Sequence, residues 1–184
     1  MQAPILSFYS VRFPLIFLFY FNIFFNAQAQ HGRTDKEHGH IRVGLVIGHT
    51  LIPTVVDGER ENLLIPSWGM DLEYWLNQRW GVGLHNDIEV ETFEVLSDDD
   101  EYIERIYPLV FTLDVLWRPW KGLVLLAGPG IELEQNRNLQ VFRFGAEYEV
   151  ELFQGWDLSP NFFYDARSDA FGTWSVGLGV GKRF

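Results

Sequence analysis

The sequence predicts an all-β fold: an eight-stranded antiparallel up-and-down barrel that spans a membrane. Three observations lead to this prediction. Apolar and polar residues alternate along successive segments, the connections between the segments alternate between long and short, and an export signal precedes them all. No stretch has the 3.6-residue period of an amphipathic helix, and no repeat longer than a hairpin is present.

Residues 1–29 have the features of a secretory signal peptide. Arg12 precedes the apolar run Phe13–Phe25, and small residues follow at the expected cleavage site. The run is too short for a membrane-spanning helix, which needs about 20 apolar residues. We therefore predict cleavage after Ala29, a flexible periplasmic tail over residues 30–39 and a single barrel domain over residues 40–184.

Charge and cysteine content exclude several classes of protein. The formal net charge is −11, and removal of residues 1–29, which carry one arginine and no acidic residue, makes it about −12. A chain this acidic lacks the basic surface that binds nucleic acid. No cysteine is present, which excludes a disulfide framework and a lipid attachment site.

The first four predicted strands share a period of two in hydrophobicity. They are expected at residues 41–48, 64–76, 80–91 and 107–117. Their connections are expected to be a long polar loop at residues 53–62, a tight turn at 77–79 and an acidic loop at 97–104.

The last four strands are expected at residues 123–134, 141–152, 156–166 and 171–184. Short connections at residues 118–121 and 154–155 alternate with polar ones at 136–138 and 168–170. The closing strand has one apolar face, consisting of Trp174, Val176, Leu178, Val180 and Phe184. Its other face is small and polar, so the strand is amphipathic like the preceding seven.

Alternation alone does not show which face is outside, and a soluble, lipocalin-like binding barrel with an apolar interior is the main alternative. Volume decides between them, because an eight-stranded barrel has an interior just wide enough for its own side chains. The apolar face carries five tryptophans, which would not fit inside, whereas the opposite face is rich in glycine. We therefore expect the apolar face to contact lipid.

Aromatic residues on the lipid face are expected to form two girdles, one at each membrane interface. The girdle at the tight-turn end comprises Tyr74, Trp80, Trp117, Trp156 and Phe184, and the girdle at the loop end comprises Trp68, Tyr107, Phe142, Tyr164 and Trp174.

The inward face predicts a lumen with many more acids than bases. Its charged and titratable residues are Arg42, Asp71, Glu73, His85, Asp87, Glu89, Glu91, Asp114, Glu132, Glu134, Arg143, Glu147, Glu149, Glu151, Asp157 and Arg183. Buried charges must be paired or neutralised, so we expect each arginine to lie among several carboxylates, some of them partly protonated. The favoured interpretation is a salt-bridged plug; a core that binds or conducts cations is the alternative.

No catalytic, cofactor or metal site is predicted. His49 has the lipid-facing parity, but no serine on that face could act as its nucleophile. The histidines His31, His38 and His40 and the acidic run Asp98–Glu101 lack the spacing of a zinc or calcium site.

The closing residues Gly179–Phe184, with a terminal aromatic, together with the strand count over the whole mature chain, resemble the small outer-membrane barrels of the OmpA and OmpX type. Lys182 departs from this pattern because it points towards lipid near the end of the strand. The resemblance implies a monomer in the cell outer membrane with a structural or surface-binding role and external loops for recognition. Its implied partners are outer-membrane lipids, lipopolysaccharide and the barrel insertion machinery.

The remaining alternative is an outer-membrane enzyme that modifies lipid A. Some small outer-membrane barrels are enzymes of this kind, namely acyl hydrolases and palmitoyl transferases.

Overall fold

The computed structural model describes residues 39–184 except 57–58, 97–101 and 169–170, and for residues 55–56, 59–60 and 96 it describes the backbone alone. The predicted signal peptide and the predicted tail up to residue 38 lie outside the described residues. Within the described part, no helix has the length and apolarity needed to cross a membrane.

The regular secondary structure of the described residues consists of strands joined by turns. The strands are β1 (His40–Val56), β2 (Glu59–Trp75), β3 (Trp80–Glu89), β4 (Thr92–Leu96), β5 (Tyr102–Ile106), β6 (Leu109–Trp120), β7 (Leu123–Leu133), β8 (Leu139–Tyr148), β9 (Val150–Glu151), β10 (Trp156–Arg167) and β11 (Gly172–Arg183).

Eight antiparallel strand positions form a closed barrel wall. The order is β1, β2, β3, β6, β7, β8, β10 and β11, with β9 pairing with β10 just beyond the end of β8. Closure comes from β11, which pairs with β10 on one side and with β1 on the other. The structure therefore confirms the predicted eight-stranded antiparallel barrel, in which every wall strand has two hydrogen-bonded neighbours.

Two of the predicted connections are wrong in their extent. Residues 53–62 were expected to form a loop, but β1 and β2 each run for 17 residues and pair as far as Val56 and Glu59. A membrane-crossing strand needs only about 9–11 residues, so these two strands project beyond the membrane at the loop end. Tyr102, predicted to lie in the acidic loop, begins β5, which pairs with β4 in a separate hairpin.

The outer surface of the wall is apolar. Leu45, Trp68 and Leu113 expose 65%, 62% and 62% of their surface, whereas Arg42 and Glu73 are fully buried inside. A soluble barrel would bury its leucines and expose its charges, so the lipocalin-like alternative is wrong.

The structure contains two clusters of buried apolar residues. One is formed by side chains of the barrel strands and comprises Trp75, Leu116, Val124, Leu126 and Phe163. The other, which we call the mouth cluster, comprises Ile52, Ile65, Phe93, Val95, Leu139 and Phe171. The mouth cluster joins the projecting parts of β1 and β2 to strand β4, and Thr54 donates a 2.6 Å hydrogen bond to the Glu94 carbonyl. These contacts pack the β4–β5 hairpin against the loop end of the barrel.

Candidate functional site: the charged lumen

The inward-facing charges fall into three groups along the barrel. The turn-end group lies near the tight turns at residues 76–79, 121–122 and 152–155, the middle group surrounds His85, and the loop-end group lies beneath the mouth cluster. Each group combines residues from several strands. Residues that pair across neighbouring strands point to the same face of the sheet, so inward-facing partners lie side by side.

Arg42 is the centre of the turn-end group. Its guanidinium donates to Asp157 at 2.8 Å from Nη2 and 3.1 Å from Nε, and to Ser159 Oγ at 2.9 Å. Nη1 forms an ion pair with Glu73. The other oxygen of Glu73 accepts a 2.7 Å hydrogen bond from the indole of Trp75. The fully buried guanidinium is thus paired with carboxylates on two different strands.

Two further arginines enter this group from the turn-end rim. Arg118 and Arg183 donate to Glu149 Oε2 at 2.6 and 3.0 Å, and their side chains remain 15% and 24% exposed. The Arg118 guanidinium also stacks on the Trp75 ring, with its central carbon 3.7 Å from the ring centroid. The rim arginines therefore neutralise one oxygen of Glu149 from the water-facing side.

Glu147 and Glu149 each have one oxygen without a hydrogen bond from a described residue. Within the described part of the chain, Glu147 Oε1 and Glu149 Oε1 are buried and accept no hydrogen bond. Arg42 makes longer ion-pair contacts with both oxygens, since its nitrogens lie 3.7 Å from Glu147 Oε1 and 3.9 Å from Glu149 Oε1. Glu73, Glu147 and Glu149 each have one carboxylate oxygen that lies within 4.8 Å of the corresponding oxygens of the other two residues.

The middle group is a short hydrogen-bonded chain. His85 Nδ1 lies 2.7 Å from Asp114 Oδ2, and Thr112 Oγ1 donates to the same oxygen at 2.6 Å. All three residues are buried. The imidazole is enclosed in the lumen and 1% exposed, so it lies away from the outer surface that contacts lipid.

The loop-end group contains two arginine-centred networks. Arg143 binds Asp165 at 2.7 and 2.8 Å and Asp87 at 2.6 Å. Arg167 pairs with Glu132, lies 3.3 Å from Glu89 and donates to Thr173 at 2.6 Å. Both guanidinium groups are buried, and each is satisfied by more than one acceptor.

Arg105 connects the β4–β5 hairpin to the barrel. Its guanidinium is fully buried, pairs with Glu132 and donates to the Arg137 carbonyl at 2.6 Å. Its second carboxylate contact is Glu134 at 3.4 Å. Burial pushes the pKa of Glu134 upwards, but backbone N–H groups of Asn136 and Arg137 and the charge of Arg105 outweigh burial and lower it.

Most of the predicted lumen residues line the interior in the structure. Arg42, Asp71, Glu73, His85, Glu89, Asp114, Glu132, Arg143, Glu147, Glu149 and Asp157 are buried, Asp87, Arg183 and Glu134 are partly exposed, and Glu151 is exposed. Glu91 was predicted wrongly: β3 ends at Glu89, and Glu91 is exposed beyond it.

The sequence prediction missed four buried or rim charges. Asp165 and Arg167 share the inward parity of β10, and Arg118 shares that of β6, so alternation could have identified all three. Arg105 carried no such signal, because its strand is not part of the wall.

The predicted girdle aromatics lie on the outer surface at the two ends of the wall. At the turn end Trp80 stacks on Trp117 with ring centroids 6.0 Å apart, and at the loop end Trp174 contacts Phe162 and Tyr164 at 5.0 and 4.5 Å. The other predicted members, Trp68, Tyr74, Tyr107, Phe142, Trp156 and Phe184, are also exposed.

Lys182, the departure from the closing-strand pattern, turns towards the rim. Its ammonium group donates to the Gln154 carbonyl and lies 5.4 Å from the Trp156 ring centroid. The amine therefore reaches polar groups at the membrane edge while its stem remains on the apolar surface.

The enzyme candidate His49 lies on the outer face with Val176 and Pro66 as its cross-strand partners. Neither neighbour supplies a nucleophile or an acid. His31, His38 and Asp98–Glu101 lie outside the described residues, and His40 begins β1, where it stacks on Trp75.

No protein-family model and no curated protein sequence matches the chain. Solved structures do. Ail, the attachment invasion locus protein of Yersinia pestis in complex with the heparin analogue sucrose octasulfate, is 18% identical with a TM-score of 0.57, over 80% of this chain and 99% of that one.

A second similar structure is the N-terminal β-barrel domain of OprF from Pseudomonas aeruginosa. It is 14% identical with a TM-score of 0.54, over 80% of this chain and 100% of that domain. Identities this low establish the fold and nothing more specific. By fold, the chain is a small eight-stranded outer-membrane β-barrel.

Proposed function

We propose that this chain is an integral outer-membrane protein with a closed lumen, whose functional surface is the loop end of the barrel. One observation carries the proposal. The strands β1 and β2 and the β4–β5 hairpin form a packed layer beyond the wall, with the mouth cluster as its own apolar core. A barrel needs no such layer to close its wall, and rigid elements at the loop end are suited to present a recognition surface.

The interior supports a structural lumen. Arg42, Arg143 and Arg167 are each buried among carboxylates, and the apolar cluster of Trp75, Leu116, Val124, Leu126 and Phe163 occupies further space in the interior. Eight strands leave room for little more than side chains. The mouth cluster packs at the loop end, so we infer that the charges hold the barrel together and that the described residues form a closed lumen.

The lumen is therefore expected to be non-conducting. In planar bilayers, the purified protein should give no discrete current steps, because the mouth cluster and the paired charges fill the pore. The double variant Phe93→Ala and Val95→Ala keeps the buried Arg105, should leave insertion intact and tests whether the paired charges alone keep the lumen closed. Discrete cation-selective steps from the unaltered protein would contradict the closed lumen.

The outward surface of the loop end is acidic. Glu61, Glu91, Glu94 and Glu104 are exposed there beside the exposed Arg137, so acids outnumber bases among them, and Glu94 lies directly opposite Glu104 in the hairpin. Like charges in such a pair destabilise a hairpin unless a cation lies near them. This surface is suited to a positively charged partner, in contrast to the sulfated ligand in the complex with Ail.

This surface can be tested in nanodiscs of neutral lipid. Poly-lysine should bind the protein with an affinity that falls as salt rises, and sucrose octasulfate should not bind. The double variant Glu94→Gln and Glu104→Gln should weaken poly-lysine binding several-fold. Glu151→Gln, near the opposite end of the barrel, is the matched control and should bind normally. Equal effects of both variants would remove the loop-end assignment.

An enzymatic role has no supporting observation in the described residues. His49, the candidate base on the outer face, faces apolar cross-strand neighbours. We propose that the protein has no catalytic activity and no cofactor, that it acts as a monomer, and that it contacts lipid, lipopolysaccharide and the insertion machinery. A cleaved signal peptide over residues 1–29 and a tail over 30–39 belong to the same proposal.

A further inference from the structure

We propose that Glu73, Glu147 and Glu149, in the turn-end group of the lumen, bind a hard divalent cation. The site is distinct from the proposed recognition surface at the loop end. It would be a resident ion site within the barrel, and its ligands come from β2, β8 and the residue that follows β8.

The spacing of the three carboxylates matches the coordination shell of such an ion. One oxygen from each residue falls within 4.8 Å of the others. Ca²⁺ binds oxygen at about 2.3–2.6 Å, so two oxygens on opposite sides of the ion are roughly 5 Å apart. The three oxygens can therefore contact one ion without a change in the strands that hold them.

Two of these ligands each have an oxygen that accepts no hydrogen bond within the described residues and whose ion-pair contact with Arg42 is 3.7 Å or longer. Glu147 Oε1 and Glu149 Oε1 are buried and accept no hydrogen bond from any described residue. The residues themselves are only 2% and 3% exposed. A buried carboxylate oxygen without a donor is unfavourable, and a metal ion bound by the three residues would supply a cation at closer range than Arg42.

Arg42 fills this role only in part. Four of its five N–H groups bind Asp157, Ser159 and Glu73, and the fifth, on Nη1, makes no hydrogen bond with a described residue. Its contacts with Glu147 Oε1 at 3.7 Å and Glu149 Oε1 at 3.9 Å are ion pairs that are longer than a hydrogen bond. Arg118 and Arg183 both bind the other oxygen of Glu149.

Local charge favours a cation as well. The fully buried part of the group contains Arg42 against four carboxylates, which are Glu73, Glu147, Glu149 and Asp157. The two rim arginines offset part of this excess from the partly exposed edge. An all-oxygen ligand set with excess negative charge selects Ca²⁺, Mg²⁺ or Mn²⁺ over the softer ions that prefer sulfur or imidazole.

Access to the site is from the turn end. The mouth cluster covers the loop end, whereas Arg183 at the turn-end rim keeps 24% of its side chain exposed. An ion would enter past this arginine, so the site would respond to the divalent-ion concentration on the periplasmic side.

Terbium luminescence provides a direct test, because Tb³⁺ replaces Ca²⁺ in oxygen sites and Trp75, which donates to Glu73, lies beside the proposed ion. Protein refolded in detergent and freed of metal with a chelator should show saturable, tryptophan-sensitised Tb³⁺ emission that Ca²⁺ displaces. Glu147→Gln and Glu149→Gln should each weaken Tb³⁺ binding at least 10-fold. Excess Ca²⁺ should also raise the unfolding temperature of the unaltered protein, since it binds the folded state alone.

Glu89→Gln is the matched control. Glu89 is equally buried in the lumen and also has an unpaired oxygen, but it lies in the loop-end group outside the three-carboxylate set. Its variant should bind Tb³⁺ normally. A variant counts only if it retains its heat-modifiable gel shift, and Glu149→Gln alone decides where Glu147→Gln fails to fold. Absence of binding, unchanged affinity in both glutamine variants, or equal loss in Glu89→Gln would overturn the proposal.

Discussion

Replacement of Arg42 by methionine is expected to destabilise the barrel by about 3–5 kcal/mol, because it leaves buried carboxylates without their central partner. Glu73 loses its ion pair, and Asp157 loses both guanidinium hydrogen bonds. Methionine has a similar length, so the change removes charge with little change in volume. Urea unfolding of the protein in lipid vesicles, followed by tryptophan fluorescence, measures the free energy of unfolding.

Arg183→Met is the control for that measurement. Arg183 binds the same group of carboxylates, but its side chain is 24% exposed, so water can replace its contacts. Its effect should be about 1 kcal/mol or less. If Arg42→Met and Arg183→Met unfold at the same urea concentration, Arg42 does not have the central role that its burial indicates.

Gly128→Ala is expected to prevent a large fraction of the protein from reaching the heat-modifiable folded form. A Cβ atom at residue 128 would lie 2.0 Å from the Leu113 carbonyl oxygen and 2.7 Å from the Asp114 Cα atom. Both atoms belong to the neighbouring strand backbone, so relief requires β6 and β7 to separate. Overpacking of this kind costs about 1–3 kcal/mol or more.

The control for Gly128→Ala is Gly44→Ala. There the added Cβ meets the end of the Asp71 side chain at 3.3 Å, and a side chain can rotate away. Semi-native gel electrophoresis after refolding gives the folded fraction of each variant. Similar folded fractions for the two variants would show that the wall at Gly128 is more compliant than its backbone contact implies.

The sequence was sufficient to predict the barrel and the direction of its faces. Alternation located the wall strands, and the bulk of residues such as Trp68 and Trp174 showed that the apolar face could not be inside. The same alternation placed Arg42 and Glu73 in the lumen, because parity along a strand fixes the side on which each residue lies.

Pairing within the lumen could not be predicted. Arg42 binds Asp157, which is 115 residues away in sequence, and that contact depends on the register of β11 with both of its neighbours. The register of each strand depends on its partners in the closed barrel, and it cannot be predicted from the sequence of one strand alone. The Glu73, Glu147 and Glu149 set was missed as a possible ion site for the same reason.

The β4–β5 hairpin was missed for a different reason. Its sequence is rich in charge and interrupted by an acidic run, which is typical of a solvated loop. Its stability comes from tertiary contacts of Phe93 and Val95 in the mouth cluster and from the buried ion pair of Arg105. Neither contact follows from local pattern, and Glu91 was assigned to the lumen because the preceding strand was extended too far.

Closure of the wall by β11 has a consequence for the kinetics of assembly. The last strand must bond the first, and the backbone N–H of Phe184 donates to the carbonyl of Ile41. This contact closes a loop of nearly the whole domain. Its entropic cost must be overcome late in assembly, so folding is expected to be slow. Until β11 arrives, β1 and β10 each present an unpaired edge, and the nascent chain needs protection from aggregation between export and insertion.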